Sequence, residues 1–296
     1  MTKYRYRVVD VFTKHALEGN PLAVFLDASD IDAATMQLIA KELNLSETAF
    51  VVSPTRPGCA AGVRIFTPMR EMLFAGHPTV GTAFVLLDEG IVPKDTGSFI
   101  IDEKIGPVTV RVEKGERPLI WLRTPPISFG NEYRRDACAK ALGLSLTDLL
   151  EAVPCVVTAG NPCLFIPLRD KTAVDQAWLD AGALKALRKA GDEAMCVFIF
   201  TPTPAGAYSR MFAPEHGVVE DPATGSATGP LAAYMIRAGL VKGRPGTRLV
   251  SEQGTKMERR SFLHILINGE DGRDGIEVGG CVTPLIEATM TLPTRP

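Results

Sequence analysis

The chain repeats itself, and this limits its folds more than any other feature. Gly19-Asn20-Pro21-Leu22-Ala23-Val24-Phe25 in the first half is answered by Gly160-Asn161-Pro162-Cys163-Leu164-Phe165-Ile166 in the second. Arg64-Ile65-Phe66-Thr67-Pro68 is answered by Arg210-Met211-Phe212-Ala213-Pro214. Each Arg-x-Phe-x-Pro segment then leads into a glycine-rich turn that opens an apolar run: Ala75-Gly76-His77-Pro78-Thr79-Val80-Gly81 and Ala223-Thr224-Gly225-Ser226-Ala227-Thr228-Gly229-Pro230. Three matches in the same order predict two domains of like fold, since each copy of a repeated unit buries the same faces. The 296 residues accommodate them, at roughly 100–200 residues per domain.

Local patterning predicts mixed α and β in each half. Alternating or β-branched runs bounded by glycine and proline predict strands at Tyr4–Phe12, Ala23–Leu26, Thr48–Ser53, Val63–Thr67 and Val108–Glu113. In the second half they predict strands at Val153–Thr158, Leu164–Pro167, Met195–Phe200, Tyr208–Phe212 and Leu263–Ile267. Ala33–Leu43 has the spacing of a one-sided helix, with Asp30 or Asp32 available as N-cap, and Gln176–Lys189 is a second surface-helix candidate. Thr79–Leu87 and Leu231–Ala238 are different, apolar almost all round, and a helix without a polar face is a buried one. Each half is therefore expected to wrap a sheet around one central helix. Turn signals at Gly115-Glu116-Arg117-Pro118 and Pro125-Pro126 place the boundary between 116 and 127.

Composition excludes several classes. Apolar residues at 46% and charged residues at 22% are those of a globular protein. Lys plus Arg (32) against Asp plus Glu (34) leaves a net charge of −2, with no field to attract nucleic acid or an anionic membrane. No run approaches the ~20 apolar residues that cross a bilayer, and no secretory leader is visible, so a cytoplasmic location is expected. Six scattered cysteines show neither disulfide-framework nor zinc spacing and are expected to be reduced.

Ionisable groups gather around the glycine-rich turns. Pro78 and Pro230 suit the first position of a helix, so the turns before them should lie at the N-termini of the two buried helices. Unpaired N–H groups there bind a carboxylate or a developing oxyanion, and glycine allows close approach. His77 follows Gly76, Glu220-Asp221 runs into Pro222, Ser226 follows Gly225, and Ser46-Glu47 stands where the first helix hands over to a strand. Singly, each has a plain structural explanation as a cap or a solvated charge. Together, a carboxylate, an imidazole and a second carboxylate beside backbone donors can move a proton at carbon without a metal.

These strings, with Asn44-Leu45-Ser46-Glu47-Thr48-Ala49-Phe50 and Gly217–Pro230, closely resemble the signatures of the phenazine-biosynthesis PhzF-like family over nearly the whole chain. The resemblance implies the diaminopimelate epimerase fold: an α+β protein of two similar domains, each a mixed, mostly antiparallel sheet rolled around a central apolar helix, with the active site in the cleft between them. The first domain would be 1–118, completed by a strand at about 284–296, and the second 119–283. It further implies a cofactor-free homodimeric isomerase acting on a small carboxylic acid of the dihydro-hydroxyanthranilate type. Glu47 would be the general acid/base, His77 and Asp221 its polar partners, and Ser46, Gly76, Gly225 and Ser226 the substrate-binding residues. Racemases of this fold use a cysteine from each domain, where this chain has Ala75 and Thr224, so a two-cysteine mechanism is not expected. The rival readings are a serine hydrolase built on Ser226, His77 and Asp221, although Gly225-Ser226-Ala227-Thr228-Gly229 is not the usual nucleophile elbow, and a silent acid-binding relative.

Overall fold

A computed structural model describes residues 1–192, 195–269 and 274–293. The chain divides into two compact units, Met1–Leu122 with Gly279–Pro296, and Arg123–Val278. Among the described residues no helix is long and apolar enough to cross a membrane.

The first unit runs β1 (Thr2–Val11), β2 (Asn20–Phe25), α1 (Ala33–Leu43), β3 (Glu47–Val52), β4 (Ala61–Phe66), β5 (Glu71–Met72), α2 (Gly76–Asp88), β6 (Ser98–Glu103), β7 (Gly106–Glu113) and β8 (Leu119–Arg123). β1 pairs antiparallel with β2, β2 parallel with β3, and β3 antiparallel with β4. β4 takes β5 antiparallel and β6 parallel, and β6, β7 and β8 continue antiparallel. Each parallel pair needs a crossover, which α1 and α2 supply. Asp32 caps α1 by accepting from Thr35 N at 2.8 Å, and Asn44 ends it in the left-handed region at φ 51°. One face of α1, Met36, Ile39 and Ala40, is buried against Phe25, Phe50 and Phe66. In α2 every residue except Phe84 and Asp88 is buried, and the helix packs on β1, β2 and β3. Gly81 permits that contact: a Cβ there would meet Leu22 Cδ2 at 2.6 Å and Val11 Cγ2 at 2.8 Å.

The second unit runs β9 (Ser128–Glu132), α3 (Arg135–Ala141), β10 (Cys155–Thr158), β11 (Cys163–Pro167), α4 (Lys171–Gln176), α5 (Ala181–Leu187), β12 (Cys196–Thr203), β13 (Gly206–Ala213), β14 (Val218–Asp221), α6 (Gly225–Arg237), β15 (Thr247–Gln253), β16 (Ser261–Ile267) and β17 (Ile276–Gly280). Its pairings repeat those of the first unit in order and sense: β10 antiparallel to β11, β11 parallel to β12, β12 antiparallel to β13, β13 antiparallel to β14 and parallel to β15, β15 antiparallel to β16. α6 is the counterpart of α2, buried from Ala227 to Met235 among Phe165, Phe198 and Phe200. β18 (Val282–Leu292) returns to the first unit and pairs antiparallel with β1. Residues 294–296 of the expected closing strand lie outside the described residues.

The mixed α+β class with mostly antiparallel sheets is as expected, and three local readings are corrected. The helix expected at Gln176–Lys189 is confined to α5, Ala181–Leu187, because Asp180 caps a fresh start there by accepting from Ala183 N, while Gln176 ends the separate helix α4 that Asp170 caps by accepting from Ala173 N. Neither proline opens its helix: Pro78 is the third residue of α2, still in the first turn where no intrahelical bond is lost, and Pro230 lies inside α6, which begins at Gly225, where a helix tolerates proline only by leaving a carbonyl unpaired. The cysteines are not all reduced. Cys163 and Cys196 are partners in the parallel β11–β12 register, their Cα atoms 4.5 Å apart, and form a disulfide; sequence spacing gave no hint because the pairing is made across strands.

Candidate active site

The repeated Arg-x-Phe-x-Pro segment acts as a clamp. Arg64 Nε donates to Glu71 Oε1 at 2.7 Å and its guanidinium lies over the Phe66 ring, with Lys104 donating to the other oxygen of Glu71. Arg210 grips Glu220 through Nε and Nη2, each at 2.9 Å, lies over Phe212, and donates Nη1 to the carbonyls of Val174 and Ala177. Glu71 and Glu220 sit on the short strands just ahead of the glycine-rich turns, so each clamp holds the start of its helix.

Gly76 opens α2 and His77 follows it, both buried. The N-cap residue Ala75 contributes no side-chain hydrogen bond, which leaves the first N–H groups of the helix to other partners. Two strands deliver polar groups to this end. Asn20, the first residue of β2, places Nδ2 3.4 Å from His77 Nδ1. Glu47, the first residue of β3, places Oε2 3.5 Å from the same nitrogen. Burial lowers the His77 pKa to about 3, so the imidazole is neutral at ordinary pH and its contact with Glu47 is not an ion pair. His77 Nε2 is buried and has no hydrogen-bond partner among the described residues. Glu47 keeps 18% of its side chain exposed, and Ser46 is half-buried in the bend before it. The structure thus joins Glu47, His77 and Gly76, and adds Asn20, whose one sequence signal was the repeated Gly-Asn-Pro.

Asp221, Gly225 and Ser226 belong to the second unit. Asp221 is buried at the end of β14, and its Oδ2 accepts from Thr224 Oγ1 at 2.5 Å. Gln253 fastens the turn: Nε2 donates to Asp221 O at 2.7 Å and to Thr224 Oγ1 at 3.0 Å, while Oε1 accepts from Thr224 N. Gly225 and Ser226 form the half-buried first residues of α6. Among the described residues no group of three His, Cys, Asp or Glu is placed to hold a metal ion.

A family profile described as "Phenazine biosynthesis-like protein" (PhzC-PhzF) matches residues 9–288. The chain belongs to this family. A relative from Pseudomonas fluorescens, named trans-2,3-dihydro-3-hydroxyanthranilate isomerase, is 36% identical over 282 residues, covering 94% of this chain and 95% of its own. The crystal structure of a PhzF-family phenazine biosynthesis protein from Bacillus anthracis superposes with a TM-score of 0.89 at 23% identity, covering 99% of this chain and 100% of that one. A hydroxyproline epimerase from Agrobacterium vitis, at 13% identity and a TM-score of 0.64 over 97% of this chain and 92% of its own, shares the fold. The fold of this PhzF-like chain is thus diaminopimelate epimerase-like, and its curated relatives support an isomerase.

Proposed function

We propose that this family member is an isomerase that shifts a proton between carbons of a small unsaturated or cyclic carboxylic acid of the dihydro-hydroxyanthranilate type. Glu47 is the general acid/base. The observation that carries this reading is the contact of Glu47 with a buried, neutral His77 at the start of α2. A protonated imidazole would hold the carboxylate in its charged form and weaken it as a base; a neutral one does not.

In the proposed reaction, Glu47 takes a proton from a carbon next to an unsaturated system. The electron pair left behind delocalises through that system, and the same carboxyl group returns the proton to another carbon, so no redox partner is needed. With the Asn20 amide donating to Nδ1, the imidazole proton sits on Nε2, a buried donor without a partner among the described residues that a substrate oxygen can satisfy. The N–H groups of Gly76 and its neighbours supply further positive potential for the substrate acid or its anionic intermediate. On the family resemblance, Ala75 and Thr224 take the positions where racemases of this fold carry cysteines, which supports a carboxylate base. Asp221, Ser46, Gly225 and Ser226 are carried as substrate-contacting candidates, and a homodimer as the assembly, on the family resemblance.

The test is Glu47→Gln with trans-2,3-dihydro-3-hydroxyanthranilate in D2O, followed by NMR. A loss of about 10²–10⁴ in turnover, together with loss of solvent deuterium at carbon, is expected for removal of a general acid/base. Unchanged deuterium exchange removes Glu47 from the mechanism.

A further inference from the structure

Of the buried carboxyl groups that take no part in the proposed proton transfer, Glu103 is the one whose side chain meets the start of α2. Glu103 ends β6 with only 2% of its surface exposed. Its Oε1 lies 2.5 Å from Thr79 Oγ1, and the same hydroxyl lies 2.8 Å from Ala75 O. A threonine hydroxyl has one proton, and a backbone carbonyl can only accept. With the Thr79 proton directed to Ala75, the short contact to Glu103 is satisfied by a proton on the carboxyl group, donated to Thr79.

The surroundings agree. Glu103 Oε2 is buried without a hydrogen-bond partner among the described residues. Its charged neighbours are engaged elsewhere: Asp102, on the opposite face of β6, is bonded to Arg56 and Thr55, and Lys104, in the turn after the strand, to Glu71. Arg56 reaches Glu103 only at its backbone carbonyl. From α2 the facing group is Thr79, and the nearby His77 is neutral. With no cation among the described residues to offset it, burial pushes the carboxyl pKa up to about 8; a Thr79 hydroxyl donated to the carboxylate is what would lower it, and that donation is given up when the Thr79 proton goes to Ala75.

The second unit supplies an independent comparison. Ala61 pairs with Ile101 across the parallel β4–β6 pair, and Ala207 with Ser251 across the parallel β13–β15 pair. Ala61 and Ala207 stand the same distance ahead of Arg64 and Arg210 in the repeated segment. Two residues further along β6 and β15 are Glu103 and Gln253. Gln253 is a permanently neutral donor that binds the cap of α6 at Thr224. Glutamine has the shape of a protonated glutamate, so the two units place an equivalent donor beside the start of each buried helix.

We propose that Glu103 works as a neutral carboxylic acid, donating through Thr79 to Ala75, and is a positioning residue for the α2 turn that presents Gly76 and His77. Its effect on turnover rests on the function proposed above; its protonation state does not, and the two are tested separately.

The direct test is infrared difference spectroscopy of wild type against Glu103→Gln, with NMR of the Gly76 and His77 backbone amides. A protonated-carboxyl band at pH 7 that disappears as pH rises through about 8, with both amides shifting in step, is expected. Glu103→Gln should lack the band and hold those amides constant. The stability signature follows from the raised pKa: the neutral acid contributes fully below about 4.5 and loses its contribution as pH rises through about 8. Glu103→Gln should therefore melt above wild type at pH 8. For trans-2,3-dihydro-3-hydroxyanthranilate, kcat/KM should fall above pH 8 in wild type but not in Glu103→Gln, and Thr79→Val should lose up to about a hundredfold by displacing the turn. A carboxylate band at pH 7, or identical amide titrations in wild type and Glu103→Gln, overturns the proposal. Absence of turnover in every protein, with the band present, counts against the proposed function and leaves the assignment of Glu103 supported.

Discussion

Glu47 and Cys196 hold the same register position in two copies of one strand pairing. Glu47 faces Leu22 across β2–β3, and Cys196 faces Cys163 across β11–β12, with Leu22 and Cys163 both following a Gly-Asn-Pro. Where the first unit carries an ionisable group, the second is closed by a disulfide. The duplicated architecture is thus retained while the chemistry at this position differs between its copies.

The disulfide sets a thiol count. Titration of unfolded protein without reductant should find the four free cysteines Cys59, Cys138, Cys155 and Cys281, and all six after reduction. Closing a loop across a separation of 33 residues restricts the unfolded chain, so reduction should cost about 3–4 kcal/mol in a denaturant titration.

His77 should make the protein sensitive to acid. Its folded pKa is lowered to about 3 from 6.5, so between these values the unfolded chain binds the extra proton and stability falls as pH drops. The His77 ring should show no NMR protonation shift above pH 5. His77→Asn should flatten the decline in melting temperature between pH 6 and pH 4.

Arg210→Ala should be among the most damaging single changes outside the site. It leaves Glu220 nearly buried without its bidentate partner and removes the donor to Val174 O and Ala177 O. A loss of about 3–5 kcal/mol in chemical denaturation is expected. Arg64→Ala should cost less, since its side chain is 31% exposed and Lys104 still reaches Glu71.

Gly81→Ala should destabilise by about 1–3 kcal/mol through overpacking, because the added methyl meets Leu22 and Val11. Thermal unfolding measures it.

Ser226 should not behave as a hydrolase nucleophile. A fluorophosphonate should leave it unlabelled by mass spectrometry, and Ser226→Ala should raise KM for trans-2,3-dihydro-3-hydroxyanthranilate more than it lowers kcat. Covalent labelling at Ser226 would instead favour the hydrolase reading.

Much of this was legible in the linear chain. Repeated short strings announced a duplicated α+β architecture, the nearly all-apolar run after each glycine-rich turn announced a buried helix, and the PhzF-like signatures pointed to Glu47 and His77. These are local properties, set by side-chain periodicity, glycine and proline chemistry, and residue order. Tertiary structure decided which groups meet. Asn20 reaches His77 across 57 positions, Glu103 reaches Thr79 across 24, Cys163 finds Cys196, and the two arginines of the repeat prove to be clamps. Each of these contacts depends on strand register and on which face a side chain takes. Burial, which sets the charge on His77 and Glu103, exists only once the sheet has closed over its helix.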